Sequence, residues 1–232
     1  MTVFADESRL IVAICAPRHP DRISQTMLRL VHDAELSQSL QFGSRVRRSE
    51  YLRSRAMFRL LSKSPMPLLN SIRGAPIWPD KMTGSISHVD GNVVLALSTN
   101  RLPIGIDFEQ TGNESLSCRE ATFKMIHTGS MMDGDSRRIW RQLSAAPHED
   151  RPRQVWLVFS GASLVARCAV VRVSTGDHEY ALAIAMPNAN QSAPNAHLRI
   201  INTPRRTALS ILASLESGLF SNLEAHRVGI GA

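Results

Sequence analysis

The stretch from Gly84 to Thr99, GSISHVDGNVVLALST, constrains the fold more than any other part of this chain. Two strand-like runs, residues 84–89 and 92–99, flank Asp90-Gly91. That dipeptide between β-type segments signals a two-residue hairpin, because both positions tolerate positive φ. Antiparallel pairing is therefore built in at the centre of the sequence. Leu10–Ala16 reads as a buried strand ended by Pro17 and Pro20, and residues 102–109 as another short strand. Residues 154–160, 164–174 and 179–186 read as three more, with turns at Gly161 and at Thr175-Gly176-Asp177.

Helical spacing appears in two places. Arg48, Leu52, Arg55 and Arg59 recur on one face of residues 44–62, and Pro65 and Pro67 stop that helix. Residues 116–127 form the second predicted helix. Residues 128–153 are polar and irregular, which predicts a long loop with one helical turn near Trp140. From residue 187 the composition is linker-like, and then Ala208, Leu212, Leu215, Leu219 and Leu223 fall on one face of a predicted tail helix. Helices mixed with antiparallel hairpins indicate an α+β protein rather than a doubly wound α/β one. No repeat of fixed period is present.

Apolar residues make up 43% and charged residues 20% of the 232, the balance of a globular protein with a sizeable core. Lys and Arg outnumber Asp and Glu by 27 to 20, a net charge of +7. Such a balance concentrates anionic partners, whether nucleic acid, a phosphorylated cofactor or an acidic protein. The apolar run at 10–16 is too short to span a bilayer and follows Asp6 and Glu7 rather than a basic segment, so neither a membrane span nor a signal peptide is predicted. Three cysteines, without zinc-type spacing, read as buried thiols of a cytoplasmic protein.

Four short patterns can carry chemistry. In Gly105-Ile106-Asp107-Phe108-Glu109, strand alternation puts Asp107 and Glu109 on one face. Such paired carboxylates suit Mg²⁺ with substrate phosphates, although a solvated strand face gives the same triplet. In the second helix Glu120 and Lys124 are four residues apart, either a surface ion pair or a third carboxylate with a phosphate-binding cation. Ser87 and His88 can donate to a phosphate oxygen, or serve the strand end alone. Arg48, Arg55 and Arg59 share a helical face that can grip phosphates or lie in solvent. Few aromatic residues interleave with these arginines, which argues against a nucleic-acid surface.

Read in order, the patterns are R-x-E-Y-L-x-x-R, G-x-P-I-W-P, G-S-I-S-H, G-I-D-F-E and S-C-R-E-A-x-F-K. This series resembles the 4′-phosphopantetheinyl transferase superfamily, most closely its enterobactin synthetase component D type, which serves siderophore synthesis. The resemblance covers about residues 45–127. It implies two similar α+β halves related by a pseudo-twofold, with coenzyme A in the cleft between them and an extra C-terminal tail. On that reading residues 1–102 are the N-terminal half with the CoA-binding elements. Residues 103–186 are the half with the acidic metal ligands, and 187–232 are linker and tail helix.

The resemblance also implies the roles. Asp107, Glu109 and Glu120 hold Mg²⁺, and Glu120 and Lys124 are catalytic. Arg48, Arg55, Ser87, His88 and Lys124 bind coenzyme A. The implied reaction moves phosphopantetheine from coenzyme A to a serine of an acyl or peptidyl carrier protein, and a monomer that binds neither nucleic acid nor membrane is expected. Three features depart from the family pattern: Leu116 in place of an aromatic residue, Arg119 in place of lysine, and only the ten residues 110–119 between Glu109 and Glu120. A shortened relative that binds coenzyme A but transfers weakly or not at all is therefore a second expectation. A basic nucleic-acid-binding module is a third.

Overall fold

The computed structural model describes residues 9–17, 19–72, 74–99, 101–129, 136–150, 155–175, 178–188, 195–201 and 224–228. Strand β1 is Arg9–Cys15. Two short helices follow, α1 Gln25–Leu28 and α2 Asp33–Ser39. The long helix α3 is Arg45–Ser62, with Ser44 as its N-cap. The hairpin is β2 Thr83–Val89 and β3 Asn92–Ser98. Strand β4, Gly105–Gln110, turns through 111–113 directly into helix α4, Glu114–Gly129. Helix α5, Ser136–Gln142, leads into β5 Leu143–Pro147, β6 Val155–Ser160, β7 Ser163–Thr175 and β8 His178–Pro187. The last described strands are β9 Asn195–Ile201 and β10 Glu224–Val228.

These elements make an α+β fold with two sheets. The first has the order β10-β9-β1-β3-β2 and the second β4-β8-β7-β6-β5. Every pairing in the second is antiparallel, whereas β9 and β10 join the first in parallel. Alternation of side chains along the strands explains the layering. From β1, Leu10, Val12 and Ile14 meet Ile106 and Phe108 of β4 and Leu182 and Ile184 of β8 in a core between the sheets. The alternate residues Ile11, Ala13 and Cys15 face Met57, Phe58 and Leu61 of α3. On the far face of the second sheet, Ala181 and Ala183 pack with Val170 under Cys118, Ala121 and Met125 of α4. Small alanines there let α4 lie close to the sheet. Among the described residues no helix is long and apolar enough to cross a membrane.

The strands and the two main helices lie where their periodicity predicts. Asp90 has φ 51° and Gly91 φ 79°, the hairpin conformation expected of Asp-Gly. The short helices α1 and α2 were not anticipated, and two further segments differ. Leu143–Pro147, in the predicted loop, is an edge strand, too short and too weakly alternating to announce itself. Asn195–Ile201, read as linker from its Asn- and Pro-rich flanks, is a strand beside β1, and Glu224–Val228 extends the same sheet. Part of the predicted tail is thus built into the first sheet. The predicted tail helix at 208–223 lies outside the described residues.

Candidate active site

Helix α3 carries the sequence R-x-E-Y-L-x-x-R, and its side chains hold the hairpin turn. The buried Glu50 accepts the Gly91 N–H through Oε1 at 3.0 Å. Arg53, also buried, donates to the Gly91 carbonyl at 3.0 Å, to the His19 carbonyl at 2.8 Å and to the Arg22 carbonyl. Gly91 itself tolerates no larger residue, since an added Cβ would lie 2.1 Å from Cβ of Pro20. The turn that ends β2, and with it His88, is fixed from both sides.

Arg55, one of the predicted phosphate contacts, has another task. It is 3% exposed, donates to the Leu68 carbonyl and the Ser54 hydroxyl at 2.8 Å each and to Asn70 Oδ1, and lies over the Tyr51 ring. Its fork ties α3 to the segment after the helix, so it is not turned toward a ligand. Arg48 is half-buried and donates to the Phe42 carbonyl at 3.1 Å. The arginine that meets His88 is Arg47, whose Nη1 contacts the imidazole and lies 3.1 Å from Glu50 Oε2. Burial, and then the Arg47 charge, push the His88 pKa below its ordinary value. Arg47 was missed in the sequence, although its three-residue spacing to Glu50 is an ion-pair signal.

Ser87 and His88 point to opposite sides of β2, as strand neighbours must. His88 meets α3, whereas Ser87 faces β4. The Ser85 hydroxyl accepts the Ile106 N–H at 3.0 Å and the Ser87 hydroxyl accepts the Phe108 N–H at 3.1 Å. Two serine side chains therefore stand in for a ladder between strands of different sheets. Ser87 also donates to Asp107 Oδ1 at 3.1 Å and receives the Lys124 ammonium at 3.4 Å. Its one donor and two lone pairs are all engaged within the protein. The predicted direct phosphate contact from Ser87 is thus replaced by a role in holding Asp107.

Asp107 and Glu109 share the face of β4 that looks toward α4. The helix approaches closely because residue 105 is glycine: an added Cβ would sit 1.8 Å from the Ala121 carbonyl oxygen. This brings Lys124 Nζ to 2.8 Å from Asp107 Oδ1 and 3.5 Å from Glu120 Oε1. Asp107 is 1% exposed, and its Oδ2 is buried with no hydrogen-bond partner. Burial, and then the charges of Asp107 and Glu120, hold the Glu109 carboxyl above the usual carboxylate range, with Lys124 opposing them. The four predicted residues Asp107, Glu109, Glu120 and Lys124 thus form one electrostatic group. Among the described residues, however, no three His, Cys, Asp or Glu side chains stand together as a ready metal-binding set. The ammonium of Lys124 lies between two of the carboxylates. The donor chemistry still fits a hard cation: an orphaned carboxylate oxygen beside acidic neighbours is what Mg²⁺ binds, with water and substrate phosphate completing its shell.

Residues 37–98 match the family model for the 4′-phosphopantetheinyl transferase N-terminal domain. In this stretch, about a quarter of the chain, it is similar to 4′-phosphopantetheinyl transferases. Over 61 residues it is also 39% identical to the 4′-phosphopantetheinyl transferase Svp of Streptomyces mobaraensis, a segment covering 25% of this chain and 25% of that protein. The stretch matched by the family model takes in α3, β2 and β3, and so Arg47, Ser87 and His88. It ends before β4, so Asp107, Glu109, Glu120 and Lys124 lie outside it, and Ser87 reaches from the matched stretch to Asp107.

Proposed function

We propose that this protein transfers the 4′-phosphopantetheine group of coenzyme A to a serine of an acyl or peptidyl carrier protein. One observation supports the reading above the others. The Ser87 hydroxyl, inside the family-matched stretch, bonds Asp107, on the strand that also carries Glu109 and beside the helix that carries Glu120 and Lys124. In the proposed reaction the acceptor serine oxygen bonds to the β-phosphorus of coenzyme A. The bond from that phosphorus to the bridging oxygen breaks, and 3′,5′-ADP leaves.

Such a transfer depends on alignment and charge neutralisation more than on covalent help from the protein. Asp107, Glu109 and Glu120 would hold Mg²⁺, which when bound supplies neutralisation of the pyrophosphate oxygens. Lys124 offers an ammonium to the transferred phosphate. Glu120, half-exposed at the site, takes the hydroxyl proton of the acceptor serine, directly or through water. On α3, Arg47 presents positive charge beside His88, where the remaining phosphates of coenzyme A are proposed to lie. Carriers of siderophore or other secondary-metabolite synthesis, and a cytoplasmic site of action, belong to the proposal through the sequence resemblance.

Incubation of apo-carrier proteins with this protein, coenzyme A and Mg²⁺, read by intact mass, tests the reading. The carrier should gain one phosphopantetheine, and a chelator or the Asp107→Asn variant should reduce the rate by about 10²-fold or more, the scale of a lost charge-stabilising contact. No gain across a panel of carriers, despite binding of coenzyme A, would favour the shortened, inactive relative. The structural support for that second reading is the direct turn from β4 into α4, which leaves no further element between Glu109 and Glu120.

A further inference from the structure

The ammonium of Lys124 is the cation that meets Asp107 in the structure. Asp107 is buried and needs a positive partner, and its Oδ1 takes Lys124 at 2.8 Å. The same ammonium stands 3.5 Å from Glu120 Oε1 and 3.4 Å from the Ser87 oxygen, a nest of oxygen atoms of the kind that a hard cation selects. The lysine side chain is 28% exposed, whereas the Asp107 side chain is 2% exposed. Of the two, only Lys124 can leave, by swinging its flexible stem toward solvent. An ammonium and a divalent ion cannot share so small a space, because their charges repel at short range.

We infer that Lys124 and a divalent cation compete for one anionic site on Asp107, the lysine being the resident cation until the metal displaces it. The inference rests on the reading that Asp107 contributes to a metal site. It accounts for two observations together. The Lys124 ammonium stands between Asp107 and Glu120, two of the acids that the metal reading needs. The second Asp107 oxygen, Oδ2, remains unpartnered because a lysine on Oδ1 does not reach it. Displacement would also free the Lys124 ammonium to contact a substrate phosphate.

The test is Lys124→Met in the full chain, with Mn²⁺ as the probe and coenzyme A absent. Calorimetry should give Mn²⁺ binding at least tenfold tighter than in the wild type, since the competitor is gone. The thermal midpoint of the variant should lie below that of the wild type without divalent ion and should rise more steeply with MgCl₂, at ionic strength held constant by KCl. Lys124→Arg keeps the charge and serves if the methionine variant does not fold: it should bind Mn²⁺ no more tightly than the wild type. Equal Mn²⁺ affinity in wild type and Lys124→Met, or tighter binding in Lys124→Arg, would overturn the competition. Asp107→Asn separates this from the underlying reading. If it retains wild-type Mn²⁺ affinity, Asp107 is not a metal ligand and both ideas fail. If it loses binding while Lys124→Met is unchanged, the metal site stands and only the exchange fails.

Discussion

The Ser87 hydroxyl donates to the Asp107 carboxylate across 3.1 Å, joining strands that belong to different sheets. The same oxygen accepts the Phe108 N–H, so it sets both the backbone and the side chain at the centre of the candidate site. Ser87→Ala should therefore leave a buried N–H without its acceptor and a buried carboxylate with one partner fewer. The expected loss is about 1–3 kcal/mol of stability, measured by urea denaturation. Turnover should fall without a matching change in the affinity for coenzyme A. An alanine variant of wild-type stability and rate would remove Ser87 from the support of Asp107.

Two arginines on one helix should behave oppositely. Arg55 is buried and bonded to Leu68, Ser54 and Asn70, so Arg55→Met should destabilise the fold by about 2–4 kcal/mol, a range typical of a broken buried polar network. Folded protein of that variant should still bind coenzyme A. Arg47 is half-exposed beside His88, so Arg47→Ala should cost little stability and weaken coenzyme A binding. It should also raise the His88 pKa, because the Arg47 charge now helps to depress it. A proton NMR titration of the His88 ring reads this directly. The sign carries over to stability: the unfolded chain takes up a proton near 6.5 that folded His88 resists. His88 therefore favours the fold above 6.5, and that contribution is lost as pH falls toward its folded pKa.

Much of this was legible in the sequence because local signals agreed with the fold. Asp90-Gly91 announced the hairpin, and strand alternation put Asp107 and Glu109 on one face of β4, the face that meets α4. The i, i+4 spacing of Glu120 and Lys124 correctly put both on one face of α4. What sequence could not give was the use of each polar group in three dimensions. Arg48, Arg55 and Arg59 share a helical face by number, yet the arginine that meets His88 is Arg47, on a different face of α3. Ser85 belongs to the G-S-I-S-H pattern but was assigned no task there: its role follows from the approach of two sheets. The parallel pairing of β9 with β1 joins residues far apart in the chain, and no local pattern encodes such a contact.

Cys15 lies fully buried in β1 against α3, and burial pushes its pKa from an ordinary 9.0 to about 12, against a smaller opposing pull from Arg53. In the unfolded chain the thiol ionises above about 9, whereas in the fold it stays protonated. Stability contributed by the neutral thiol is therefore complete below 9 and is lost as pH rises toward 12. Cys15→Ser, with its shorter hydroxyl that does not titrate there, should flatten the decline in denaturation midpoint between pH 9 and pH 10.5, though starting from a lower value. Native protein should also resist alkylation at pH 8, since Cys118 and Cys168 are buried as well. Rapid labelling of Cys15 under native conditions would contradict this packing.

The direct turn from β4 into α4 should impair engagement of the carrier more than binding of coenzyme A. The side chains proposed to meet the phosphates, Arg47, His88 and Lys124, are all held by elements that the short connection leaves intact. A carrier must instead find surface beside Glu120, and there the structure offers Leu116, 42% exposed, on the first turns of α4, with Phe123 and Trp140 in edge contact farther along. Loss of a docking element typically costs a few kcal/mol, which is about a hundredfold or more in affinity. At saturating coenzyme A the KM for carrier should accordingly be high, while calorimetry with coenzyme A alone should give ordinary affinity. Leu116→Asp should raise that KM further and leave coenzyme A binding unchanged. A low-micromolar KM that survives this substitution would mean that the carrier docks elsewhere on the chain, and that the short connection is not what limits it.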